Sequence, residues 1–243
     1  MMIPIFFISS IFIAVAFIVT ENNAKYLLSG FNTMSEDERQ QIDIKSHISY
    51  FKKFHIFLGV SLLGFASILF YFVDPNLSGI FMTIYPLVAY IYFILKSNQF
   101  KKVQSKKQTL ISYLGIGVLI VLSLGIFYNF KNSLKDHTIQ LSNNIIQIKG
   151  DYGVKINIYD LKSIELVSQL PEISYKINGF ALGTTKKGYF KTKKGEKVKL
   201  LINSQKMPIL LLTTIDNHKI YFSSNNKSNI EIYNQIKQKL PVN

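Results

Sequence analysis

The 243-residue sequence contains no cysteine and no tryptophan. The missing cysteine excludes disulfides, thiolate nucleophiles and Cys-based zinc sites. Arginine is nearly absent as well: Arg39 stands alone, so the formal net charge of +14 is carried by lysine. A lysine-dominated charge suits nucleic acid, anionic lipid or an acidic envelope polymer alike. Guanidinium forks, which grip phosphate and guanine in bidentate fashion, are what this chain lacks, and that argues against a nucleic-acid partner. Catalytic signatures are missing too. Neither G-x-S-x-G nor H-E-x-x-H occurs, and His137 and His218 have no neighbouring carboxylate or histidine at ligand spacing. Gly179, Gly183 and Gly188 lack the spacing of a nucleotide-binding fingerprint and read as turn and bulge positions. The expectation is a non-enzyme with no catalytic, cofactor-binding or metal-ligating residue.

A further absence is positional. Hydrophobic residues make up 48% of the chain, an ordinary share for a soluble protein, but the long apolar runs all precede Phe130. Four of them, Met1–Thr20, His55–Val73, Leu77–Leu95 and Leu110–Phe130, contain no Asp, Glu, Lys or Arg. About 20 apolar residues in a helix cross a bilayer core, so the expected fold class is a four-span α-helical membrane domain over residues 1–130. The first run has no cationic stretch before it and no small-residue cleavage pattern after it, and is expected to remain as an uncleaved helix. His55 reads as an interfacial histidine, and Pro86 as a kink packed against neighbouring helices.

Short-loop lysine and arginine set orientation. Residues 21–54 carry Lys25, Arg39, Lys45, Lys52 and Lys53, and residues 96–109 carry Lys96, Lys101, Lys102, Lys106 and Lys107. The turn at Asp74-Pro75-Asn76 has none, and only Lys131 and Lys135 follow the last span directly. Both lysine-dense loops are therefore expected in the cytoplasm and both termini outside, in a multi-pass plasma (inner) membrane protein.

Within the first loop, Ser35 and Glu38 have capping-box spacing, so a helix should begin near Glu36 and continue through Ile42 and Ile44 towards span two. The run Gly30-Phe31-Asn32-Thr33-Met34-Ser35 and the acidic stretch behind it resemble an uncharacterised bacterial membrane family, whose motif sits just inside the membrane after the first helix. The resemblance covers about Met1 to Leu95, rests on Gly30, Asn32, Thr33, Met34 and Ser35, and implies no activity.

From His137 the pattern turns to short alternating strands: Thr138–Leu141, Ile145–Ile148, Gly153–Ile158, Ile164–Val167, Lys187–Thr192, Val198–Asn203, Ile209–Thr214 and His218–Phe222. Ile230, Tyr233, Ile236 and Leu240 then recur at helical spacing, with Ser228 and Glu231 in capping-box form. This order resembles a bacterial pleckstrin-homology-like domain over residues 137–243. The carrying residues are Gly150-Asp151-Tyr152-Gly153, Asp160 to Ile164, Leu170-Pro171, Asn178-Gly179-Phe180 and Gly188-Tyr189-Phe190. The resemblance implies a curved two-sheet sandwich closed by one helix. Phosphoinositide binding is not implied, since the first hairpin offers only Lys149 and Lys155.

The densest basic feature is Lys186, Lys187, Lys191, Lys193, Lys194, Lys197 and Lys199 around a hairpin at Lys194-Gly195-Glu196. It reads either as a contact for anionic headgroups or acidic wall polymer, or as a solvated hairpin whose lysines protect sheet edges. The leading functional expectation is a membrane-anchored PH-like binding or scaffold domain. A small transporter, channel or accessory subunit regulated by that domain is the alternative. The expected partners are the lipid bilayer and another membrane or envelope protein. Oligomeric state is not encoded in any feature of the sequence.

Overall fold

The structure is a computed structural model that describes residues 1–28, 31, 34–100, 106–142 and 144–239. Gly30, Asn32, Thr33, Lys101, Lys102, Asn143 and Leu240 lie outside the described residues. The chain divides into two compact units, Met1–Asn129 and Phe130–Asn243.

The first unit is helical: α1 (Met2–Ile18), α2 (Ala24–Leu27), α3 (Glu36–Gln40), α4 (Ile44–Ile68), α5 (Pro75–Ser97) and α6 (Lys106–Ser133). Among the described residues, three stretches are long and apolar enough to cross a membrane, Ile44–Val73, Pro75–Phe100 and Lys106–Ser133. Helix α1 is apolar but 17 residues long, or about 25 Å at the usual rise per residue, against a hydrocarbon core of about 30 Å. The outward faces match a lipid environment: Phe57, Val60 and Phe65 on α4 and Leu114, Val121 and Leu124 on α6 are exposed, and no residue of α6 is buried.

Helix ends follow local chemistry. The capping box forms as its spacing predicts, with the Ser35 N–H donating to Glu38 Oε2 (3.0 Å) and the Glu38 N–H donating to Ser35 Oγ (3.3 Å). The expected continuous helix into span two does not form. The chain breaks at residues 41–43, where the Asp43 carboxylate accepts the Ser46 N–H (3.1 Å) and the Asp43 N–H donates to the Phe100 carbonyl (3.1 Å). A second N-cap starts α4 there, and the end of α5 is drawn to it. At the other end, α4 runs through a π-helical turn, Leu69–Val73, to Asp74, whose side chain caps α5 at Leu77 (2.8 Å) with Pro75 in the first turn. Pro at that position loses no helical hydrogen bond.

Helix α1 packs along α4. A Cβ placed on Gly59 would lie 2.7 Å from the Ser9 carbonyl oxygen and 2.6 Å from the Ile13 side chain, so only glycine permits this approach, in the manner of small-residue contacts between membrane helices. The His55 side chain is buried within the unit. Its Nδ1 lies 2.8 Å from the Phe51 carbonyl and its Nε2 2.9 Å from the Tyr90 hydroxyl. Ser61 meets Tyr85 at 2.7 Å, and Ser78 donates to the Ala66 carbonyl (2.7 Å).

The second unit holds two sheets. The smaller is an antiparallel meander of β1 (Thr138–Ser142), β2 (Ile145–Lys149) and β3 (Val154–Asn157). The larger contains β4 (Leu161–Val167), β5 (Ile173–Leu182), β6 (Thr185–Thr192), β7 (Lys197–Ile202), β8 (Ile209–Thr214) and β9 (Lys219–Ser223), in the order β4-β8-β9-β7-β6-β5. Strand β9 slots between β8 and β7 and runs parallel to β7. Strand β5 was not expected from sequence: it is an edge strand with no fully buried residue, so it has little hydrophobic alternation to read. Helix α7 (Asn229–Lys237) places Ile232 and Ile236 into the inter-sheet core with Ile146, Ile148, Ile156, Leu210 and Phe222. The opposite face of the large sheet buries Phe190, Val198, Leu200, Ile209 and Tyr221, which explains the unbroken apolar run at Ile209–Leu212. The capping box expected at Ser228 and Glu231 is not made by the Ser228 side chain. The buried Asn229 instead ties the turn, donating to the Pro208 carbonyl (2.7 Å).

Replacing Gly59 by alanine forces α1 away from α4, and overpacking of this kind costs about 1–3 kcal/mol. Gly64 on the same helix has nothing within 4 Å of its Cβ position. Thermal unfolding of the two alanine variants in detergent should separate them, with Gly59→Ala destabilised and Gly64→Ala close to the parent.

Candidate functional site

Strand periodicity sorts the lysine cluster. Register pairs Lys187 with Leu201, Tyr189 with Lys199 and Lys191 with Lys197, so these six share one face of the large sheet. Residues of one face run outward from the core to the open end of the sandwich. At the inner end Lys187 is buried, 1% exposed, which removes it from the surface group to which the sequence reading assigned it. Its Nζ donates to the Lys135 carbonyl, which also accepts from Asn203 Nδ2 (3.1 Å). Burial lowers the Lys187 ammonium below the usual lysine value, opposed in part by Asp151 and Asp136. Lys186, on the other face and partly buried, is lowered by burial as well.

Around Lys187 is a polar node. The His137 ring lies between Asn203 Oδ1 (2.6 Å from Nδ1) and the Asp151 carbonyl (2.8 Å from Nε2). Asp136 accepts from the Ser224 hydroxyl (2.5 Å) and from the backbone N–H groups of Asn225 (3.0 Å) and Asn226 (3.1 Å). These bonds anchor the first residues of the domain to β6, the end of β7 and the turn before α7.

At the outer end the chemistry is open. Lys197 and Lys199 both lie over the Tyr189 ring, their Nζ atoms 4.8 and 5.0 Å from its centroid. Lys199 also reaches the Gly153 carbonyl of the facing meander (3.4 Å). These side chains, with Lys155 from β3, line a cleft of about 530 Å³ that Asp160, Asp216, His218 and Lys219 also line. The Ile215 N–H donates to the Asp160 carbonyl (2.9 Å). Nearby carboxylates are engaged elsewhere: Glu196 holds Lys219 (2.9 Å) and Glu172 holds Lys193 (3.2 Å). Among the described residues, Lys155, Lys191, Lys197 and Lys199 have no ion-pair partner. Lys193 and Lys194 are exposed at the hairpin tip, where Gly195 adopts φ +85° and donates to the Thr192 carbonyl (3.0 Å). Sequence reasoning missed Tyr189, Lys155, Asp160 and Asp216 as partners of the cluster. Their juxtaposition depends on pairing across sheets, and only Tyr189, alternating with Lys187 and Lys191, gave a local signal.

In the first unit, Met34 and Ser35 flank the start of α3, and Glu38 also accepts from Gln108 Nε2 of α6 (3.1 Å). The Ser35 backbone N–H holds the Glu38 carboxyl below its ordinary value. Arg39 donates from Nε to the Phe31 carbonyl (3.2 Å). These contacts pin the loop at the start of α3. Gly30, Asn32 and Thr33, the rest of the motif, are outside the described residues.

Among the described residues, three candidate spanning helices followed by a sheet-rich domain with a terminal helix are compatible with a membrane protein that carries a soluble domain. Residues 6–101 match a protein family described as a domain of unknown function (DUF3784), in keeping with an uncharacterised membrane family. No curated protein and no solved structure shows a significant match to the chain.

Burial holds the His137 imidazole below its ordinary value of 6.5, against the opposing pull of Asp151 and Asn203. Below pH 6.5 the unfolded chain therefore takes up a proton that the folded domain refuses. Stability falls as pH drops through that window. The protection factors of the Leu200 and Phe222 amides, taken against the intrinsic exchange rate at each pH, should fall from pH 7 to pH 5, and His137→Gln should flatten that fall.

Proposed function

We propose that this is a non-catalytic, multi-pass plasma-membrane protein that uses its helical unit to anchor a PH-like binding domain at an anionic surface. The observation that carries the reading is the lysine concentration on one end of the β domain, at the tip and the adjoining sheet face, with most of those ammonium groups unpaired. The helical unit supports an anchoring role, because its buried His55, Ser61 and Ser78 are satisfied by partners within the unit. The transporter alternative has no comparable support. The PH-like reading rests on the two sheets and the closing helix; the parallel pairing of β7 and β9 is a feature that strand alternation did not foreshadow.

Lysine close to an anionic surface contributes roughly 1 kcal/mol per residue. Reversing Lys193, Lys194 and Lys197 to glutamate in the full chain, held in zwitterionic nanodiscs, should reduce capture by phosphatidylglycerol vesicles at least about tenfold at low salt. Added salt should shrink the difference. Equal capture at low salt would dismiss the adsorption reading.

The proposal also takes α1 as a fourth span, with both termini outside. The lysine-dense loops and the lysine-free Asp74 turn support that arrangement. A reporter active only outside the cytoplasm, fused after Asn243, should be active, and a reporter active only in the cytoplasm should be silent there.

A further inference from the structure

The cleft at the mouth of the β domain holds an arrangement that costs stability and that folding does not require. Lys191 and Lys197 stand directly opposite each other in the β6–β7 ladder, a like-charge cross-strand pair that disfavours the sheet. One step inward, two ammonium groups share the Tyr189 ring. Their separation cannot exceed the sum of their distances to its centroid. A tyrosine face attracts one cation, and a second beside it is repelled by the first. Lys155, on β3 of the smaller sheet, also lines the cleft.

An anion that accepts hydrogen bonds from several ammonium groups removes this repulsion, and phosphate is the group that lysine meets as a compact, three-donor point charge. Asp160 and Asp216, which line the same cleft, repel an anion but accept hydrogen bonds from hydroxyl groups. The cleft's volume of about 530 Å³ admits a small molecule rather than a polymer segment. We propose that this cleft binds a phosphorylated polyol, with phosphate against Lys155, Lys197 and Lys199 and hydroxyls against Asp160 and Asp216. The proposal goes beyond surface adsorption and shares only Lys197 with it, and the two are told apart by Lys193 and Lys194, which are not among the cleft-lining residues.

The test uses the full chain in zwitterionic nanodiscs titrated calorimetrically with glycerol 3-phosphate, with glycerol and sulfate as controls. The expected result is saturable one-site binding of glycerol 3-phosphate that neither control reproduces. Lys197→Ala with Lys199→Ala should weaken it at least about tenfold, as befits the loss of charge-assisted hydrogen bonds. Lys193→Ala with Lys194→Ala should bind as the parent does. Lys155→Ala, on the facing sheet, provides a second cleft variant should the double substitution fail to fold, and Asp216→Asn should weaken glycerol 3-phosphate while leaving inorganic phosphate unchanged. Absence of saturable binding, equal binding of sulfate, or loss through the tip pair but not the cleft variants would overturn the proposal. Phosphatidylglycerol built into the disc identifies the source: competition with the soluble ester assigns the phosphate to a lipid headgroup, and its lack assigns it to a soluble ester. Both results keep the cleft as a phosphate site.

Discussion

The β domain is organised by a lysine that has no carboxylate partner in hydrogen-bond contact. Lys187 sits inside the fold, and its ammonium closes on the Lys135 carbonyl at the point where the chain enters the domain. A buried charge is tolerated only where dipoles replace its hydration, and here the compensation comes from that carbonyl and the nearby Asp136 and Asp151. The same carbonyl binds Asn203, and Asn203 holds His137. The entering backbone, β6 and the end of β7 are thus fixed by one node. Because side chains in a strand alternate, fixing Lys187 inward also decides that Tyr189 and Lys191 follow it on the same face, out to the mouth of the sandwich. The chemistry of the cleft is a consequence of where the buried lysine is held.

The helical unit solves a different problem, that of packing helices where apolar surface gives no preference for protein over lipid. Contact then depends on shape and on internal hydrogen bonds. Gly59 supplies the shape by letting α1 reach α4. His55 with Tyr90, and Ser61 with Tyr85, supply the bonds between α4 and α5. These polar groups punctuate an otherwise lipid-like interface and set its register. Each of these two pairs is satisfied within the unit.

Much of this was legible in the sequence wherever the determining interaction is local. The uncharged apolar runs, the Asp74-Pro75 turn and the Ser35–Glu38 capping box each depend on residues within a turn or so of one another, and each is present. What escaped depends on distant partners. The break before α4 is held by a backbone bond from Asp43 to Phe100. The insertion of β9 between β7 and β8 is a choice among pairings that alternation cannot rank. Strand β5 buries none of its residues fully, so the usual two-residue signal is weak. Lys187 is the sharpest case, because nothing in the run Lys186-Lys187 distinguishes the buried ammonium from its half-buried neighbour.

The lysines at the mouth admit a purely structural explanation, and weighing it shows what is left over. Long aliphatic stems cover apolar surface while keeping their charges wet, so one lysine beside Tyr189 would shield the ring at the sandwich's open end. Shielding does not call for two, nor for Lys191 opposite Lys197. It also does not explain why Glu196 and Glu172, close enough in the chain to neutralise the face, pair with Lys219 and Lys193 instead. Those two acids are engaged with Lys219 and Lys193, and among the described residues Lys155, Lys191, Lys197 and Lys199 keep their charge without an ion-pair partner. Covering the ring explains one lysine at this mouth, and the others are the groups that the proposed anion would engage.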